Sequence, residues 1–133
     1  MAEFKPKAYV KTTCPYSFKF RLFVTEAGLA ERFEFVAMDP FSGGFKAAKE
    51  DLAARSGAVV RFPVVEVEPD VFMTDSDALI AHFAGRYGID EAELSTLAFY
   101  RGGLFPTILE LIELCSGPLP WLIRLGKVPR AFR

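Results

Sequence analysis

The run Pro63-Val64-Val65-Glu66-Val67-Glu68 is separated from Val71-Phe72-Met73-Thr74 by only the turn pair Pro69-Asp70. Two strand-like runs that close pair as an antiparallel hairpin, because a parallel pair needs a crossover of about a dozen residues or more. Upstream the spacing is different. The short apolar run Lys7 to Val10 and the partly alternating Phe33-Glu34-Phe35-Val36-Ala37 flank a segment in which Phe18, Phe20, Leu22, Phe23, Val24 and Ala27 recur at helical spacing, with Gly28 as its C-cap. These two strands need a crossover. One chain therefore carries both kinds of connection, which demands a mixed sheet.

After the turn signals Asp39-Pro40 and Ser42-Gly43-Gly44, a second helix is expected from Phe45 to Arg55, ended by Gly57. A third opens with Asp75 or Ser76 as N-cap, carries Ala78, Leu79, Ala81, His82 and Phe83, and stops before Gly88. The order β-α-β-α-β-β-α fits an α/β fold with a mixed four-stranded sheet and helices on its faces. A chain of 133 residues, 51% hydrophobic, suffices for one such core. The division expected is a domain over residues 1–90 and a short helical, apolar extension over 91–133. In that extension Leu104 to Cys115 is apolar around most of its circumference, with Glu110 and Glu113 on one stripe, so the helix needs company. It is too short and too often interrupted to cross a membrane.

The formal net charge is −1 and no long run of one sign occurs, so nucleic acid is not expected as a partner. Cys14 and Cys115 lie far apart, which is neither a disulfide scaffold nor metal-ligand spacing, and with a single histidine no metal site is expected. The N-terminus MAEFKPKAYV has no signal-peptide pattern. A reducing, cytoplasmic setting follows as the expectation.

The residues that carry chemistry cluster at Lys11-Thr12-Thr13-Cys14-Pro15-Tyr16-Ser17. Pro15 suits the first position of a helix, which puts Cys14 at the helix start, where unpaired N–H groups, the helix dipole and the charge of Lys11 favour a thiolate. Ser17, one turn on, either hydrogen-bonds the sulfur or is a small first-turn residue. Lys11 is alternatively a solvated strand-end charge. Asp75 and Ser76 serve either as a helix cap alone or also as a site for a ligand bearing a carboxylate and an ammonium. His82 reads as a surface or semi-buried residue, and Cys115 as packing.

Three motifs in order, Cys14-Pro15-Tyr16-Ser17 at a strand-to-helix junction, Phe62-Pro63 before the third strand and Asp75-Ser76 at the third helix, resemble the glutaredoxin and glutathione S-transferase N-terminal domain families. The resemblance spans roughly residues 7–87 and implies the thioredoxin-like fold and glutathione as ligand. It implies a catalytic Cys14 and a glutathione site drawn from Lys11, Pro15, Tyr16, Ser17, Phe62, Pro63, Asp75 and Ser76. In it Pro63 is cis, Phe62 pairs its backbone with the tripeptide, Lys11 meets the glycine carboxylate, and Asp75 with Ser76 holds the γ-glutamyl group.

Where glutaredoxins of the dithiol kind have a second cysteine, this chain has Ser17, which leaves a monothiol cycle through glutathione. Deglutathionylation of proteins or small disulfides is the activity implied. The alternatives are a non-catalytic interaction module, acting as a homodimer or on a protein partner through residues 95–133, and a glutathione transferase with a reduced second domain. An iron–sulfur cluster bridged by Cys14 and glutathione is disfavoured by Pro15.

Overall fold

The computed structural model describes residues 3–116; the Pro-Leu-Pro-Trp run and the basic residues of 117–133 lie outside them. The elements follow the expected order: β1 (Lys7–Lys11), α1 (Pro15–Glu26), β2 (Glu34–Met38), α2 (Phe45–Ser56), β3 (Val64–Glu68), β4 (Val71–Met73) and α3 (Ser76–Tyr87). The sheet runs β2-β1-β3-β4. β1 is parallel to β2 and antiparallel to β3, and β3 is antiparallel to β4, which makes the sheet mixed as the two connection types require.

Alternation along the strands sends side chains to two cores. Ala8, Val65 and Val67 face α1 and α3, where they meet Phe20, Phe23, Leu79, Ile80 and Phe83. Tyr9 and Val64 face the other way, toward Leu52 of α2, Met38 and Val60. Phe20, Phe33 and Phe83 pack as a triad, with centroid separations of 5.7 Å for Phe20–Phe33 and 4.7 Å for Phe33–Phe83, both edge-to-face. β2 begins one residue later than the sequence suggests. A 3₁₀ turn over Ala30–Arg32 closes with the Phe33 N–H on the Ala30 carbonyl, so Phe33 enters the core and pairing starts at Glu34.

The end of α1 shows how the crossover is turned. Gly28 adopts φ 73°, and the N–H groups of Gly28 and Leu29 reach back to the carbonyls of Thr25 and Val24. This is a Schellman closure, with Ala27 as the C-cap and the glycine one place beyond it.

Beyond α3 the chain makes a 3₁₀ turn (Glu91–Glu93), then α4 (Ser95–Phe99), a π-helical turn (Tyr100–Leu104) and α5 (Phe105–Ser116). α4 is fixed at its start by Glu26, whose two carboxylate oxygens each accept at 2.8 Å from the N–H groups of Thr96 and Leu97. Leu94 and Leu97 join the core on the α1/α3 face. α5 differs: none of its residues is fully buried, and Ile112 is exposed. Cys115, expected to be packed, is exposed as well, in the last turn of a helix that buries none of its residues.

Candidate functional site at two helix N-termini

Cys14 is the N-cap of α1, with extended backbone angles of φ −98° and ψ 120°. Its side chain makes no capping bond, and Pro15 follows at the first helical positions, so the cysteine stands at the helix start. The thiol is half-buried and donates a long, weak hydrogen bond, 3.8 Å, to the Phe62 carbonyl. Phe62 precedes Pro63 through a cis peptide bond, as the resemblance implied.

Ser17 resolves to the second of its readings in part: it is buried in the first turn, and its hydroxyl accepts from the Lys11 N–H at 3.2 Å, tying the end of β1 to α1. That bond orients the strand-to-helix junction around the sulfur. Lys11 itself is half-buried at the end of β1.

A cleft of ≈ 500 Å³ opens beside the thiol, lined by Tyr16, Arg61, Phe62, Thr74, Asp75, Ser76 and Asp77. Its size suits a peptide-sized ligand. Of the residues picked from sequence, Tyr16, Phe62, Asp75 and Ser76 meet here, and Cys14 borders them through Phe62. Lys11 is not among the lining residues, and Pro15, Ser17 and Pro63 are buried supports.

The far wall is the start of α3. Asp75, not Ser76, is the N-cap: its Oδ1 accepts from the N–H groups of Asp77 at 3.0 Å and Ala78 at 3.1 Å. It does so at φ 74°, a left-handed conformation uncommon outside glycine and tolerated best by Asn and Asp. Strain of this sort persists where the surroundings over-determine it and clusters at ligand sites.

Sequence reasoning missed Arg61, Thr74 and Asp77 in the cleft, and Lys19, Tyr100 and Arg101 behind it. Lys19 is 3% exposed, and its ammonium sits 3.2 Å from Asp77 Oδ2 and 4.0 Å from the centroid of the Phe105 ring. A buried ammonium without a partner is strongly disfavoured, so Asp77 and the ring faces are what admit it. Arg101 grips the other carboxylate oxygen, Nη2 to Oδ1 at 2.9 Å, and Glu91 through Nη1 at 2.9 Å. Burial pushes the Asp77 carboxyl upward, but the hydrogen bonds and charges of Lys19 and Arg101 outweigh it and hold it below the ordinary carboxylate value. A signal for Lys19 existed in the chain: Pro15, Lys19 and Phe23 recur every four residues on the buried stripe of α1.

Among the described residues no group of three or more His, Cys, Asp and Glu could hold a metal ion, and no helix is long and apolar enough to cross a membrane. His82 is exposed, edge-on to Phe83 at 4.9 Å, and stands apart from the cleft.

Two solved structures are among those that share the fold. One is a diazinon-metabolizing glutathione S-transferase of the silkworm Bombyx mori, 19% identical, TM-score 0.50, covering 63% of this chain and 39% of that one. The other is a possible glutathione S-transferase from Rhodopseudomonas palustris, 21% identical, TM-score 0.50, covering 61% of this chain and 37% of that one. This chain thus spans less than two fifths of either neighbour. Among curated proteins none matches it. Residues 9–92, which hold the cis-proline, the α3 cap and the thiol, match the N-terminal domain of glutathione S-transferases, and the chain belongs to that family.

Proposed function

We propose that the cleft binds glutathione beside Cys14 and that the protein is a monothiol thiol–disulfide oxidoreductase. The single observation carrying this reading is a helix-start thiol in contact with the Phe62 carbonyl, where Phe62 lines one cleft together with Asp75 and Ser76 of the α3 cap. In the proposed reaction the Cys14 thiolate attacks the glutathionyl sulfur of a mixed disulfide. A Cys14–glutathione disulfide forms and the substrate leaves as a thiolate, which takes up a proton. The thiolate of a second glutathione then attacks the bound glutathionyl sulfur, releasing Cys14 thiolate and oxidised glutathione. Ser17 cannot form a competing internal disulfide.

The thiol's contact with Phe62 supports a coupling between ionisation and binding. Only the protonated thiol can donate to the Phe62 carbonyl, so loss of the proton frees that acceptor for an N–H of the peptide. Asp75 engages the backbone through Oδ1, leaving Oδ2 for an ammonium, while the Ser76 end of α3 suits a carboxylate. Arg61, on the same cleft, supplies a cation for the second carboxylate, the task that the family resemblance implied for Lys11. The proposed partners are glutathionylated proteins or small disulfides, in a cytoplasm rich in reduced glutathione.

Incubating the protein with oxidised glutathione and mapping adducts by mass spectrometry tests the reading. A mixed disulfide at Cys14 is expected, with turnover of a glutathionylated peptide that vanishes in Cys14→Ser. Equal turnover by wild type and Cys14→Ser would end it.

One observation favours a second, non-catalytic reading: α5 is strongly apolar yet buries no residue, which suits an interaction module or a homodimer acting through residues 95–133. Sedimentation of the full chain over a range of concentrations separates the two, since a strict monomer leaves α5 without an assembly role. Conjugation to an electrophile is the remaining alternative, ranked by assay with an aryl halide.

A further inference from the structure

Two neighbouring residues from the segment after α3 reach the starts of the two helices that flank the cleft. Tyr100 is buried, and its hydroxyl donates at 2.6 Å to the carbonyl of Pro15, the residue after the nucleophile. Arg101 holds Asp77, in the first turn of α3, two residues past Asp75. The pair begins the π-helical turn between α4 and α5. Such turns are rare and recur at functional sites, because the extra residue re-aims side chains on either side of it.

From this geometry we infer that Tyr100 and Arg101 act as positioning residues that fix the separation between the start of α1, bearing Cys14, and the start of α3, bearing Asp75 and Ser76. The inference rests on the glutathione reading, because only a ligand that touches both helix starts senses their spacing. A tripeptide disulfide must place its sulfur at Cys14 and its charged end at α3 together. A short, uncharged disulfide has to satisfy the Cys14 end alone. The clamp therefore governs discrimination between the two.

Three features support a clamp over incidental packing. Each contact joins the segment after α3 to a helix N-terminus of the cleft. Asp77 is held on both oxygens, by Lys19 of α1 and by Arg101, so one carboxylate ties α1, α3 and the π turn together. Glu91 occupies the second Arg101 nitrogen, which fixes the guanidinium from the connecting segment. Burial, with the nearby Cys14 charge, also raises the Tyr100 hydroxyl to about 12, so it remains a hydrogen-bond donor wherever thiol exchange is run.

The test compares second-order rates of Cys14 modification, followed by peptide mapping, for oxidised glutathione and for bis(2-hydroxyethyl) disulfide. Wild type is measured beside Arg101→Met, Arg101→Lys and Tyr100→Phe, all in the full chain. The preference for oxidised glutathione is expected to fall roughly tenfold in Arg101→Met, the scale of a sub-ångström misplacement. It should recover in part in Arg101→Lys and drop less in Tyr100→Phe. Loss of stability alone moves both rates together and leaves their ratio intact. A wild-type preference that survives unchanged in Tyr100→Phe and Arg101→Met overturns the clamp and spares the glutathione reading. Absence of any preference in wild type overturns both. If Arg101→Met fails to fold, Arg101→Lys and Tyr100→Phe decide by the same ratio.

Discussion

Cys14 and Cys115 stand at opposite ends of helices. Cys14 caps the N-terminus of α1, half-buried, touching Phe62 and bordering the cleft, whereas Cys115 is exposed in the last turn of α5. Accessibility alone would make Cys115 the more reactive. Helix electrostatics point the other way, since partial positive charge gathers at a helix N-terminus and partial negative charge at its C-terminus. The pair sets the helix field and the neighbouring groups against exposure, and the two criteria name different thiols.

The contrast depends first on α1 being held against the sheet. Phe20→Ala removes a fully buried ring from the triad with Phe33 and Phe83 and should cost roughly 3–5 kcal/mol, measured by urea unfolding. The reactivity gap between the two thiols should narrow as α1 loosens. An undiminished gap together with a loss under about 1 kcal/mol would show that α1 is anchored elsewhere.

Next in size is the α3 cap. Asp75→Ala removes both N–H contacts and should destabilise by about 0.5–2 kcal/mol, with further strain because alanine tolerates φ 74° less well than aspartate. Asp75→Asn keeps the cap and loses only the charge. It should retain stability while weakening glutathione binding in calorimetry. If Asn and Ala weaken stability equally, the carboxylate does more than cap.

Acid titration gives a third, smaller effect. The folded-state value of Asp77 is depressed, so its contribution is present above the ordinary carboxylate range and is lost as pH falls through the lowered value. The stability difference between wild type and Asp77→Asn should therefore be full at neutral pH and shrink in acid. A difference independent of pH would remove the charge pairing with Lys19 and Arg101 as its cause. Smallest is the effect of Tyr100, raised to about 12 by burial and then by Cys14. A raised value contributes stability that is intact below about 10 and fades as pH climbs through about 12. Ultraviolet titration should show a late tyrosinate step that Tyr100→Phe deletes.

Element order and sheet type were legible because each has a local signature: a short turn, a helical period, a cap. The cis-proline and the meeting of Phe62 with Asp75 and Ser76 were expected only through the family resemblance, since no local pattern says which separated motifs share a cleft. Ser17 was legible only as a polar first-turn residue, since its bond to the Lys11 N–H depends on how sharply β1 turns into α1. Arg61 and Asp77 were not picked out, since nothing local says that they share a cleft. Tyr100 and Arg101 were harder still. They lie 85 and 24 residues from their partners Pro15 and Asp77, and their aim depends on a π turn with no sequence mark. The exposure of Cys115 was hidden for the same reason: an apolar helix is easily read, but what covers it is a tertiary fact.

The central claim meets its most direct test when one molecule chooses between its own thiols. Limiting oxidised glutathione is added to the reduced full-length chain at neutral pH, and the glutathionyl group is located by peptide mass mapping before exchange equilibrates. The account predicts that Cys14 is modified ahead of the more accessible Cys115. Modification of Cys115 first, with Cys14 left as a free thiol, would contradict it.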